Sequence, residues 1–282
     1  MKRMLLFGAF ISLTLTGWSG RLNAQEKGEL VYDTFSGTLL ADQQTVTSTY
    51  AGHLELHIQH RFGTMQNGLK DLIGIYAPSN IRLALNYGIT DRLMVGFGSE
   101  KNNKLQDIYV KYGILQQRET GMPVSVSYFA DMAVDARNAE VFGENYHFTN
   151  RFSYFHQLII ARKFGERVSV EVAPSYMHFN AVDSVWRNDY LGISANARVK
   201  LFGELSLIAE YSKGGSIKSR MLYMNKTEPN LALGFEIATP THSFQLYAGN
   251  YRELVQQKNL ANNLNNFAKG EYMVGMNVLV RF

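Results

Sequence analysis

The sequence predicts an all-β chain: a transmembrane, antiparallel up-and-down β-barrel of about twelve strands, with short periplasmic turns and longer extracellular loops. Three observations carry this. The C-terminal stretch alternates strictly, with Tyr272, Val274, Met276, Val278, Val280 and Phe282 on one face. Met273, Gly275, Asn277, Leu279 and Arg281 take the other. The N-terminus reads as an export signal, with Lys2 and Arg3 ahead of an apolar run from Leu5 to Leu15. Between the ends, short and long connections alternate along a series of period-2 segments.

The signal divides the chain. Leu22-Asn23-Ala24 supplies tolerated residues at the −3 and −1 positions, so residues 1–24 form a signal peptide cleaved near Ala24. Residues 25–50, with Thr34-Phe-Ser-Gly-Thr38 and a polar run from Asp42 to Thr49, form a segment lying in the periplasm or in the barrel mouth. Residues 51–282 form the barrel. The formal charge is +4, and removing Lys2, Arg3 and Arg21 with the signal leaves it near +1. That argues against a nucleic-acid partner, which requires a clustered basic face. The absence of cysteine excludes disulfides, thiolate metal sites and a lipidated N-terminal cysteine. Seventeen Phe, 16 Tyr and 24 Gly against 5 Pro suit strands and tight turns. No segment after the signal has the length and apolarity of a membrane helix, and a closed barrel is the other way to satisfy the backbone in lipid.

The strands are expected at 53–62, 79–87, 92–98, 105–115, 123–132, 151–164, 168–179, 190–201, 205–211, 230–237, 242–251 and 270–282. The clearest is Tyr190 to Leu201, where Leu191, Ile193, Ala195, Ala197, Val199 and Leu201 oppose Gly192, Ser194, Asn196, Arg198 and Lys200. Ile81, Leu83, Leu85 and Tyr87 likewise oppose Asn80, Arg82, Ala84 and Asn86. Tight turns at 88–91, 116–122, 165–167, 202–204 and 238–241 alternate with longer loops at 63–78, 99–104, 133–150, 180–189, 212–229 and 252–269. A soluble sandwich or lipocalin-like barrel also alternates, but buries its apolar face as one core and uses short connections at both ends. Aromatics placed toward strand ends (Tyr87, Phe97, Tyr112, Tyr176, Phe179, Phe235 and Tyr272) suit membrane girdles instead.

Apolar faces turned to lipid leave the opposite faces lining the interior. The expected lining is Arg82, Arg92, Asp107, Lys111, Asp131, Glu171, Arg198, Lys200, Glu210 and Arg281, together with Lys163, Glu236 and Glu271. Twelve strands lie between eight, where side chains fill the inside, and sixteen, where an aqueous channel opens, so a packed lumen and a narrow pore both fit.

Other chemistry is weakly represented. His53 and His57 share a face around Glu55, but i and i+4 on a strand lie about 13 Å apart, too far for one ion. His156 is expected on the outward wall between Tyr154 and Leu158, without a serine two residues away on that face. His242-Ser243 cannot act together because adjacent side chains point to opposite faces. No catalytic set, metal site or cofactor is therefore assigned, and an outer-membrane hydrolase is the third reading. Lys213, Lys218, Arg220 and Lys226 in the 212–229 loop could meet glycolipid phosphates or simply be solvated.

His60-Arg-Phe-Gly63, Asn80-Ile-Arg-Leu-Ala-Leu-Asn-Tyr-Gly-Ile-Thr-Asp-Arg-Leu-Met-Val-Gly-Phe-Gly98, Tyr109-Val-Lys-Tyr-Gly-Ile-Leu115 and Phe35-Ser-Gly-Thr38 resemble an uncharacterised β-barrel family of Bacteroidetes-type outer membranes. The resemblance implies a membrane-embedded barrel and transfers no site residues. The expected partners are outer-membrane lipid, the barrel-insertion machinery, for which Phe282 would be the terminal signal, and small solutes or envelope proteins. The leading function is a channel or small-solute conduit with a charged lumen. The alternative is a non-conducting structural or assembly barrel.

Overall fold

A computed structural model describes residues 28–183, 186–218, 221–223 and 227–282. The expected signal peptide and its cleavage point lie outside the described residues. Twelve antiparallel strands form the wall: β1 Leu54–Thr64, β2 Asn80–Thr90, β3 Leu93–Glu100, β4 Leu105–Leu115, β5 Ser125–Asp135 and β6 Phe152–Phe164. They continue as β7 Val168–Phe179, β8 Asp189–Phe202, β9 Leu205–Lys218, β10 Asn230–Ala238, β11 His242–Gly249 and β12 Met273–Arg281. Each strand pairs with its sequence neighbour, and β12 closes the ring on β1, with Arg281 opposite Glu55 and Met276 opposite His60. Closure leaves the wall no free sheet edge.

The alternation read from the sequence sets the two faces. Along β2, Ile81, Leu83, Leu85 and Tyr87 are exposed while Asn80, Arg82, Ala84 and Asn86 are buried. Leu83 and Leu246 are 50% and 58% exposed, far more than a soluble core residue, so the apolar face is turned to lipid. Replacing Leu83 with Arg is expected to cost roughly 2–4 kcal/mol, against ~0–1 for Gln106→Arg near the rim, because the penalty grows toward the bilayer midplane. Urea unfolding in lipid vesicles would measure both, and equal effects would refute the assignment of depth.

One rim carries tight turns. At 90–93 the Thr90 hydroxyl accepts the N–H groups of Arg92 and Leu93 at 3.2 and 3.0 Å. At 238–242, Thr239 N–H reaches the His242 carbonyl at 2.7 Å and its hydroxyl receives His242 N–H at 3.0 Å. The opposite rim carries the long loops. Two expectations change there. The 205–211 strand runs on to Lys218, and residues 221–223 pair back onto its end, so much of the expected 212–229 loop is sheet. The 252–269 loop contains a helix, α1 (Gln256–Asn262), whose Gln256, Gln257, Asn259, Leu260 and Ala261 are buried inside the barrel mouth. Phe179, expected in an aromatic girdle, instead points inward and is buried, because position 179 falls on the Ser169–Met177 face of β7.

A glycine makes room for this helix. A Cβ at Gly214 would press on the carbonyl oxygen of Leu260, a backbone atom that cannot rotate away. Gly214→Leu is therefore expected to drive α1 out of the mouth, seen as faster proteolysis within 252–269 with the barrel still folded. Unchanged cleavage would mean that the helix is held elsewhere.

Candidate functional site

The interior is occupied by the chain's own N-terminal segment. Residues 28–33 lie along the short-turn rim, where Val31 N–H bonds the Gln117 carbonyl at 2.9 Å and Leu30 bridges to Arg118. Residues 34–49 then pass into the lumen as a hairpin, with Leu39–Leu40 paired to Gln43–Gln44 at its tip, and most of the segment is buried. The chain leaves by the same rim: Gly52 N–H bonds the Gly88 carbonyl at 2.8 Å before β1 begins. The described part of residues 25–50 sits against the rim and inside the barrel, as a plug.

The plug is held by the inward charges. Asp42, at the tip, pairs with Arg61 and accepts from Gln59 Nε2 at 2.9 Å and Tyr247 Oη at 3.1 Å. The Arg61 guanidinium lies between the rings of Tyr247 and Tyr251, 4.8 and 4.6 Å from their centroids. Two fully buried charges and two cation–π faces make this the most specific contact of plug with wall. Glu210 accepts the Asp42 N–H at 3.0 Å and the Tyr251 hydroxyl at 2.9 Å. Glu171 accepts Val46 N–H at 2.8 Å. Glu55 receives the Thr38 hydroxyl at 2.5 Å and lies 2.7 Å from His57 Nε2 and 3.0 Å from Arg281 Nε. Glu236 takes Ser36 and pairs with Arg198 at 2.5 Å. Lys111 donates to plug carbonyls, Thr47 at 2.8 Å and Thr38 at 3.3 Å. Acidic wall residues thus accept plug N–H and O–H groups, while basic ones hold its carboxylate and carbonyls.

Among the expected lining residues, Arg82, Asp107, Lys111, Asp131, Glu171 and Glu210 are buried in the lumen. Arg82 forks onto Asp107 (Nε to Oδ1 3.1 Å), so that pair is internally neutralised. Arg198, Lys200 and Arg281 are half-buried toward the short-turn rim. Arg92 is a correction: it lies in the exposed 90–93 turn and only borders the mouth there, because the strand stops at Thr90. Lys163 is at the end of β6 and reaches the Tyr32 carbonyl at 3.1 Å. Glu271 precedes β12, in the long-loop rim, and accepts from the backbone of Asn266 at 2.6 Å. Of the loop cations, Lys213 donates to the Thr227 carbonyl. Arg220 and Lys226 fall outside the described residues.

The wall is not polar throughout. Phe129, Phe155, Ile159, Met177 and Ile208 form an inward apolar seam that packs on Phe35, Leu40 and Val46 of the plug and Leu260 of α1. In the sequence these residues stand on the face assigned to the lumen, where bulky apolar side chains give no sign of what covers them. From the other rim α1 meets the plug: Gln256 Nε2 donates to the Asp42 carbonyl at 3.3 Å. Elsewhere several buried lumen groups, including Ser206, Ser212 and Asp131 Oδ1, have no partner among the described residues.

The histidines fall as their alternation requires. His53 is at the rim, 2.9 Å from the Phe282 carbonyl, and His57 is inside with Glu55. His156 faces outward, with Nδ1 2.7 Å from the Tyr128 hydroxyl and its ring stacked with those of Tyr128 and Tyr176. Nearby, Asp189 accepts from Tyr176 at 2.6 Å and lies 2.7 Å from His178 Nδ1. These residues come from β5, β6, β7 and β8, and only strand register brings them together. No serine or threonine hydroxyl bonds either histidine among the described residues.

The family described as "Membrane bound beta barrel domain (DUF5777)" matches residues 35–282, from the plug to the last strand. No curated protein matches the sequence. Among solved structures, an outer membrane channel from Pseudomonas putida F1 is similar, with TM-score 0.52 and 13% identity over 86% of this chain and 99% of that one. The NanC porin has TM-score 0.50 and 10% identity over 81% and 98%. LpxR from Salmonella typhimurium, at TM-score 0.43 and 12% identity over 80% and 99%, is too distant to bear on activity. At such identities the likeness concerns the fold: a closed, porin-like barrel.

Proposed function

The chain belongs to the membrane-bound β-barrel family DUF5777, and from that premise we propose that it is a plugged conduit for small polar solutes in an outer membrane of the Bacteroidetes type. The plug carries this reading. A wall of twelve strands is wider than its own inward side chains need, and the remaining width is taken by residues 34–49, which enter and leave through one rim. About half of the segment's hydrogen bonds with the wall join wall side chains to its backbone N–H and carbonyl groups, and water can replace each of these when it withdraws. The plug therefore works as a stopper, with Asp42 and Arg61 as its latch and Lys111 and Glu171 as the charges bared when it leaves. The protein acts on solutes by passage and not by chemistry.

The apolar seam favours a second reading, a permanently closed barrel that serves the envelope through its loops, because apolar contacts between wall and plug have no equal in water. Single-channel recording of the refolded chain in planar bilayers separates the two. A conduit gives rare current steps on a closed baseline, and more of them once the latch is weakened. Silence at every voltage, with and without the plug, would leave the closed barrel as the answer.

A further inference from the structure

Above α1 the long-loop rim encloses a cavity of about 490 Å³, within the range that holds small ligands. Four cations line it: Arg137, Arg151, Arg187 and Lys258. Arg137 is neutralised by Asp135, with Nε and one amino group on its two carboxylate oxygens at 2.9 and 2.6 Å. Arg151 is fixed but keeps its charge: it donates to the carbonyls of Asp135 and Arg137 at 2.6 and 2.5 Å and to the Tyr146 hydroxyl at 2.6 Å. The guanidinium of Arg187 has no partner among the described residues. The ammonium of Lys258, half-buried on α1, sits 4.7 Å from the centroid of the Phe179 ring and has no hydrogen-bond acceptor among them. Asp135, Glu253 and Glu100 act on Lys258 through space without hydrogen-bonding its ammonium, and the lining offers one further carboxylate, the exposed Asp183.

We propose that this mouth is a binding site for a small organic anion, a carboxylate on a ring-sized body, held by Lys258 and Arg187 beside the indole of Trp186. A half-buried ammonium with three donors and no acceptor is stabilised by an anion that supplies them, and Arg151 adds a fixed positive field. Trp186, half-buried on the lining, gives a flat apolar wall for the body of the solute. Lys258 stands on the helix whose Gln256 touches the plug at Asp42, so the anion binds on the element that meets the stopper. The proposal rests on the conduit reading only for what becomes of the bound anion.

The sequence has two tryptophans, Trp18 and Trp186, so Trp18→Phe leaves Trp186 as the sole reporter. In this chain, refolded in detergent, D-glucuronate is expected to change the emission of Trp186 saturably. D-glucose, which lacks only the carboxylate, should not do so at the same concentration. Lys258→Met and Arg187→Gln should each weaken glucuronate binding about tenfold, the effect of losing one charged hydrogen bond. Arg187 is exposed, so its variant folds even if that at Lys258 does not, and circular dichroism checks both. An equal response to glucose, no saturation, or unchanged affinity in Arg187→Gln would overturn the site. Inorganic phosphate binding as tightly as glucuronate would overturn the organic-anion assignment. Binding is read without current, so a silent barrel that still binds glucuronate refutes the conduit alone.

Discussion

A chain beginning at Tyr50 should conduct continuously in planar bilayers where the full chain is closed for most of the record, a rise in mean current of at least about tenfold. The wall has no need of the plug for its own hydrogen bonds, since all twelve strands pair with one another and β12 closes on β1. What the truncation removes is the filling: Phe35, Leu40 and Val46 from the apolar seam, and the backbone groups that satisfy Lys111, Glu171 and Glu210. Water can solvate those charges in the opened lumen, so they cease to be buried and the barrel survives. Lys111 then faces the pore without the carbonyls that held it, and Lys111→Met in the truncated chain should move ion preference toward cations. If the truncated barrel folds, inserts and stays silent, the lumen is closed by its wall and the stopper reading fails.

Asp42→Ala is expected to shift the closed-to-open balance by about a hundredfold without truncation. Removing one member of a buried ion pair leaves the other charged and unpaired, at a cost of roughly 3–5 kcal/mol. Here the orphan is Arg61, fully buried between two tyrosine rings. Withdrawal of the plug hydrates Arg61, so the cost falls on the closed state and favours opening; about 3 kcal/mol corresponds to roughly a hundredfold. The double variant Asp42→Leu with Arg61→Met replaces the pair by apolar groups and should close the barrel again, since such replacements are often neutral or stabilising. Open probability in single-channel records measures all three chains. An Asp42→Ala barrel as closed as the parent would show that the latch lies elsewhere, in the apolar seam.

Much of the wall was legible because period 2 is a local property. Tyr190 to Leu201 sorts into lipid and lumen faces with no reference to its neighbours, and the structure has strand over 189–202. The turns expected at 88–91 and 238–241 were legible for the same reason, their chemistry lying within four or five residues, although the strand runs on to Thr90 and moves the first to 90–93. The β9 extension to Lys218 was missed because Gly214-Gly215-Ser216 reads as loop, although glycine there admits α1. The plug was not legible. Asp42 and Arg61 are 19 residues apart, and Tyr247, which clamps them, is about 200 further on, so nothing in the spacing pairs them. His156 was placed outward correctly, but its stack with Tyr128 and Tyr176 depends on the register of three strands.

The alternation of side chains by itself determined that this chain is a barrel in lipid, because the two faces of a strand are fixed by its pleat. Whether the barrel is empty was decided only by tertiary structure. Inward side chains of either sign suit water, one another or a returning backbone equally well. Which of these they meet depends on where 16 polar and apolar residues from outside the wall come to rest.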